Sequence, residues 1–240
     1  LWESEGSHAR SMVHLRQARD AIERGVVPSE GLLLDVHSDV LWTLQEVAGE
    51  MEDYEEQLAL MNAFEQHYDP SFVAERGWPL MKLGRAREAE MFARKGLASD
   101  NDWQRAVGWN VLCVLAAESG LREEGHRNCG EALDFVRSTQ AASLAIAGSN
   151  ASSAAMTALA FSDAEEWALE GALVNGQLSV SPWLQLISLY VDQGRLVEAV
   201  DAMRSLRRSQ LQQFPSHRDL NRAEIDAMFA VLLLAVGEAE

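Results

Sequence analysis

The chain has 240 residues, and 48% of them are hydrophobic, enough to bury a sizeable core; composition therefore excludes wholesale disorder. Its 37 acids outnumber its 20 bases for a formal net charge of −17, which argues against non-specific binding to nucleic acid or to an anionic membrane, since both require a basic face. Two cysteines, Cys113 and Cys129, are too few for a disulfide-stapled secreted scaffold.

From the N-terminus, residues 8 to 25 read as one helix, an atypical cap. No arginine-led apolar stretch with a cleavage site opens the chain, so no signal peptide is expected. Leu1 in place of Met suggests a fragment or a processed form. Leu41, Leu44, Ala48, Tyr54 and Asp69-Pro70 mark a first helix pair, and a second begins at Val73 with Gly77, Leu80, Gly84 and Ala89. Pro79 predicts a kink in that pair's first helix, because proline removes a backbone donor and clashes with the preceding turn. A third pair carries Trp109, Leu112, Gly120, Gly125, Ala132 and Leu133. The run from Ser138 to Ser162 is uncharged and long enough to span a bilayer. Ten polar residues within it, among them Ser143, Asn150 and Ser152, exclude that reading, because lipid would leave them without partners. A fourth pair is anchored near Ser149, with Ser153, Met156, Ala172 and Leu173, and a fifth carries Trp183, Leu186, Tyr190, Gly194 and Ala199. Asp226, Phe229, Leu233 and Gly237 open a further pair that stops at Glu240.

Apolar residues recur at three and four rather than two, so these elements are helices, about a dozen in all. Pro28, Pro70, Pro182 and Pro215 stand where helices begin or end. Three six-residue turns share one pattern, at 84–89, 120–125 and 194–199, with a degenerate copy expected at 160–165. A fixed period near 36 residues is the mark of a helical solenoid. Close approach of paired helices requires small residues face to face, so Gly77 is expected to meet Ala89, and Cys113 to meet Gly125.

With their spacing, these anchors resemble the tetratricopeptide repeat family, most closely over residues 72 to 210. The resemblance implies an all-α, right-handed superhelical solenoid of about six antiparallel helix pairs, forming a single domain over 1–240. Within it, residues 1–70 would be a cap and a degenerate repeat, and 217–240 the truncated start of another.

No chemistry stands out. The six histidines, His8, His14, His37, His67, His126 and His217, lack the three- or four-residue spacing of paired metal ligands. Cys113 and Cys129 read as two small core residues in a helix seam rather than as a redox pair. Ser149–Ser153 is not a nucleophile elbow, and the single, evenly spaced glycines form no phosphate loop. Six acids between Glu46 and Glu56 lack the spacing and central glycine of a calcium loop, and read as a solvated face. No catalytic residue, metal or cofactor is expected, and the chain is not expected to be an enzyme.

In the family, the first helix of each pair lines a concave groove that takes a peptide or a partner helix. By resemblance, the groove residues here are Trp42, Glu46 and Glu50; Trp78 and Lys82; Asn110 and Glu118; Asn150 and Thr157; Ser188 and Asp192. Four acids against one lysine in that set imply a neutral or basic ligand. The expectation is a non-enzymatic scaffold of bacterial type that binds a protein or peptide, without nucleic acid or membrane insertion. The alternative is a sensor segment that binds a small ligand and signals to a fused output domain. An acidic front (net −11 over residues 1–70) and an arginine-rich rear (Arg204, Arg207, Arg208, Arg218, Arg222, against Asp219) suggest head-to-tail association. The cytoplasm is the expected compartment, with the periplasm as its alternative.

Overall fold

Helix-stopping residues divide the chain into the elements seen in a computed structural model, which describes residues 2–24, 32–67, 73–139, 144–173, 180–213 and 220–237. The described residues are helical throughout apart from turns. Twelve α-helices are present among them: α1 (Trp2–Glu23), α2 (Leu32–Glu50), α3 (Tyr54–His67), α4 (Gly77–Lys82), α5 (Ala86–Leu97), α6 (Asp102–Glu118), α7 (Arg122–Thr139), α8 (Leu144–Thr157), α9 (Phe161–Leu173), α10 (Val180–Asp192), α11 (Leu196–Gln213) and α12 (Leu220–Val236). Pro28, Asp69-Pro70, Pro215, His217, Arg218 and Asp219 lie outside the described residues. No helix among those described is long and apolar enough to cross a membrane, and the described part of the uncharged run is divided among the end of α7, α8 and the start of α9.

One turn recurs within each of the five described pairs. Its first residue adopts the left-handed conformation: Glu52 (φ 60°), Gly84 (72°), Gly120 (74°), Leu159 (62°) and Gly194 (70°); Gly237 (76°), after α12, shares it. At Gly84 the amide donates to the Met81 carbonyl (2.9 Å), and the next amide, of Arg85, reaches back to Leu80 (2.8 Å). The same two bonds close at Glu52–Asp53, Gly120–Leu121, Leu159–Ala160 and Gly194–Arg195. They satisfy carbonyls that a helix end otherwise leaves open. The second residue of each turn then starts the next helix by accepting from the amide four residues on, as Arg85 does from Ala89 (3.0 Å) and Arg195 from Ala199 (3.0 Å).

These turns correct the alignment of the fourth pair. Its turn begins at Leu159, so the copy runs over 159–164 rather than 160–165, and its anchors are Gly148, Ala151, Ala155, Ala164 and Gly171. Leu173, assigned to the seam from sequence, is 69% exposed, whereas Ala164 and Ala168 are fully buried. The physical reason is that every large seam residue of the other copies is replaced by Gly or Ala in this one, which leaves no aromatic to fix the register. Close contact replaces volume: a Cβ on Gly148 would lie 2.7 Å from the Trp167 carbonyl oxygen and 3.0 Å from Gly171 Cα.

Contacts group the chain into two compact units, residues 1–111 and 112–240, with the division inside α6. In the first, α1 packs on α2, α2 on α3, α3 on α4 and α4 on α5. Its core gathers Met12, Leu41, Leu44, Val47, Ala48 and Leu60. Pro79 does not kink a long helix as expected. A 3₁₀ turn over Ala74–Arg76 gives way to the six-residue α4, in which Pro79 is the third residue. There its missing N–H removes no intrahelical bond. The nearest atoms to Gly77 are those of Val111 in α6, not Ala89, since a Cβ there would come within 2.6 Å of Val111 Cγ1. The 3₁₀ turn makes Gly77 the first residue of α4, so its bare face serves the approach of α6.

In the second unit α7 packs on α8, α8 on α9, α9 on α10, α10 on α11 and α11 on α12. Leu186, Ile187, Tyr190, Ala199, Val200, Met203, Leu206 and Leu232 form its main core, with Trp183 and Phe229 against it. The reading of Cys113 and Cys129 as free thiols is corrected here: both are fully buried, and they are joined by a disulfide between α6 and α7. The expected Cys113–Gly125 contact is displaced by one turn. Gly125 lies against the Ala117 backbone, and Cys113 meets Cys129. Two antiparallel helices that touch at Ala117–Gly125 meet again one turn further from Gly120, and the cysteines occupy that second contact.

Candidate functional site

Helix periodicity places the sequence-derived groove residues on the first helix of each pair: α2, α4, α6, α8 and α10. In the first unit Trp42, Glu46 and Glu50 follow one another at four-residue steps along α2. Trp42 is not a bare anchor. It is half-buried edge-on against Phe64 of α3 (centroids 5.9 Å, planes at 64°), and its Nε1 donates to Glu46 Oε1 at 2.9 Å. Glu46 and Glu50 line an open concavity with Gly49 and with Tyr54 and Gln57 of α3. This hollow therefore lies between the two helices of a single pair. Trp78 is half-buried on α4 and Lys82 is exposed at its end.

Asn110 presents almost no surface to a groove. It is 7% exposed, because on α6 it falls on the same face as the buried Ala106 and Val107, one turn before it. The first unit also holds a buried polar cluster that the sequence did not announce. Gln104, fully buried, accepts through Oε1 from the Val73 and Ala74 amides (2.8 and 2.9 Å). Its Nε2 donates to both oxygens of the buried Glu75 (2.8 Å each), which also accepts from Trp103 Nε1 at 2.6 Å. Gln104 and Glu75 thus partner each other, as burial demands. This cluster holds the 3₁₀ turn onto α6, a structural task.

The second unit brings three of the expected residues together. Glu118 of α6 with Asn150 and Thr157 of α8 line a concavity that Val114, Ala117 and Ser153 complete. It lies between α6 and α8, the first helices of neighbouring pairs. Ser153 was missed from sequence, yet its spacing of three from Asn150 and four from Thr157 puts it on their face. Thr157 Oγ1 donates to the Ser153 carbonyl at 3.0 Å, so the role left to this hydroxyl is that of an acceptor. Ser188 and Asp192 are exposed on α10 and do not line it. The surface offers one carboxylate, one amide, two hydroxyls and two small apolar patches. It can take an extended backbone or a cation, and it carries no nucleophile–base pair.

Opposite, the second helices are tied by polar contacts. His126 Nε2 meets Asp163 Oδ2 at 2.8 Å and its ring stacks on Trp167 (5.0 Å), while Arg137 pairs with Glu170. Two of the five arginines grouped at the rear from sequence have acidic partners in the described residues. Arg204 pairs with Asp201 and Arg207 with Asp226, both at 2.9 Å. Among the described residues no group of three or more His, Cys, Asp or Glu is placed to hold a metal ion.

No protein-family model matches the chain, and no curated protein matches it. Among solved structures it is similar to BtubC (BKLC) from P. vanneervenii, with a TM-score of 0.51 and 14% identity, over 97% of this chain and 83% of that one. At that identity the likeness is one of fold: a helical, repeat-like array.

Proposed function

We propose that the chain is a non-enzymatic scaffold of tetratricopeptide type that binds a neutral or basic peptide. The concavity formed by Glu118, Asn150, Ser153 and Thr157 carries this reading. A primary amide with one donor and one acceptor edge suits a peptide backbone, and a neighbouring carboxylate favours a cationic side chain over an anionic one. The recurrence of one turn and one small-residue seam through the array supports the family assignment.

The test is selection from a random peptide library against the intact chain, followed by affinity measurements on two variants. Asn150→Ala should weaken selected peptides about 5- to 10-fold, the loss of roughly one hydrogen bond. Glu118→Lys should weaken those carrying Lys or Arg by more. Circular dichroism should be unchanged, because Glu118 is exposed and Asn150 only half-buried. Enrichment of acidic peptides, or binding indifferent to both changes, would overturn the assignment.

A further inference from the structure

We infer that Cys113–Cys129 is a permanent staple closed while the chain folds, and that the protein is therefore made for an oxidising compartment. Both cysteines are fully buried, and the Cα atoms stand 4.5 Å apart where α6 crosses α7. A thiol so enclosed is out of reach of an oxidant in the folded chain, so the bond forms before the hairpin closes. The cysteines are only 16 residues apart around the Gly120 turn, so they meet early.

The chemistry is thiol–disulfide exchange with a disulfide-bearing oxidant, either an oxidoreductase or a small molecule. One cysteine, as thiolate, attacks the oxidant's disulfide, forms a mixed disulfide and releases one thiolate of the oxidant. The second cysteine, deprotonated, attacks the mixed bond at the sulfur on its partner cysteine and expels the oxidant's other sulfur. Two electrons pass from the cysteines to the oxidant, and the two protons end on its thiols. Reduction must run the same route in reverse, so burial that bars the oxidant also protects the finished bond. This makes the bond a commitment rather than a switch, and it points away from the cytoplasmic expectation.

The experiment compares the order of folding and oxidation on the full chain. Reduced, unfolded protein refolded in oxidised glutathione should close the bond fully, read by intact mass after alkylation in denaturant. Protein refolded first under reducing conditions and then given the same oxidant should close it at least about 100-fold more slowly, since reaction must wait for local opening. Expressed in a reducing cytosol and trapped with N-ethylmaleimide, the chain should show two thiols that label only after unfolding. The oxidised protein should melt roughly 6–12 °C above both its reduced form and the Cys113→Ala, Cys129→Ala variant. The reduced wild type supplies this comparison even if the variant fails to fold. Equal oxidation rates in the folded and unfolded chain, a bond already closed in the cytosol, or no difference in melting would each overturn the inference.

Discussion

Leu159 holds a φ of 62° at a turn where Gly84, Gly120 and Gly194 supply the same conformation without a side chain. A β-carbon in that region costs about 1–2 kcal/mol, and Leu159, 65% exposed, gains little burial to offset it. Leu159→Gly should therefore raise stability by about 0.5–1 kcal/mol, less than the full strain because glycine also frees the unfolded chain. The converse change, Gly194→Ala, should lower it by about 1 kcal/mol, and denaturant unfolding reads both. Residues of this kind divide what sequence shows from what it hides. A glycine at a fixed offset from an aromatic announces the turn, whereas a leucine or Glu52 does not, since the backbone conformation there is imposed by the helices on either side. Asn110 was misplaced for a related reason: a polar residue reads as solvent-facing unless its helix phase is known to within one position.

Between elements, the clearest tie joins α9 to the α10–α11 turn. Glu165 of α9 accepts from the Tyr190 hydroxyl (2.9 Å) and from Arg195 (2.7 Å), and the Arg195 guanidinium lies 4.5 Å from the Tyr190 ring centre. Arg195's hydrogen bond, aided by Tyr190, holds the Glu165 carboxyl below its usual range. Burial, and then Glu165 itself, push the Tyr190 phenol up to about 12. The signs follow from linkage. The depressed carboxyl stabilises the fold at neutral pH and loses that contribution as acid protonates it. The raised phenol stabilises the fold below about pH 10, and that contribution disappears as pH climbs from 10 to about 12. Thermal midpoints should fall over that alkaline window. Tyr190→Phe should flatten the fall while lowering neutral stability by about 1–2 kcal/mol, the cost of one hydrogen bond to a charged group. At this scale the pairing of helices was legible wherever large anchors alternate with small ones. It failed by one residue in the α8–α9 pair, whose anchors are all glycine and alanine. The disulfide was not legible either, since two cysteines across a hairpin seam satisfy packing whether or not they are bonded.

For the molecule as a whole, charge sets the balance. With 37 acids and 20 bases, ion pairs cannot neutralise 17 of the acids, and exposed pairs contribute little each. Self-repulsion should outweigh them. Raising salt from 0.01 to 0.1 M shortens the screening length from about 30 to about 10 Å and should lift the melting point by a few degrees. A fall would mean that the arginine–carboxylate ties dominate instead. The hollows were legible only in part: sequence pointed to Glu118, Asn150 and Thr157, which line one of them, but not to Ser153, because the depth of each hollow depends on how neighbouring pairs meet. The six left-handed turns carry one more consequence. They stand 32, 36, 39, 35 and 43 residues apart, yet wherever the two-bond stop closes it leads into the next helix over the same number of residues. Variation in copy length is thus accommodated elsewhere. One residue inserted inside a turn would rotate the following helix by about 100° and carry its seam to solvent. The places where this chain can grow or shrink without loss of fold lie outside these turns.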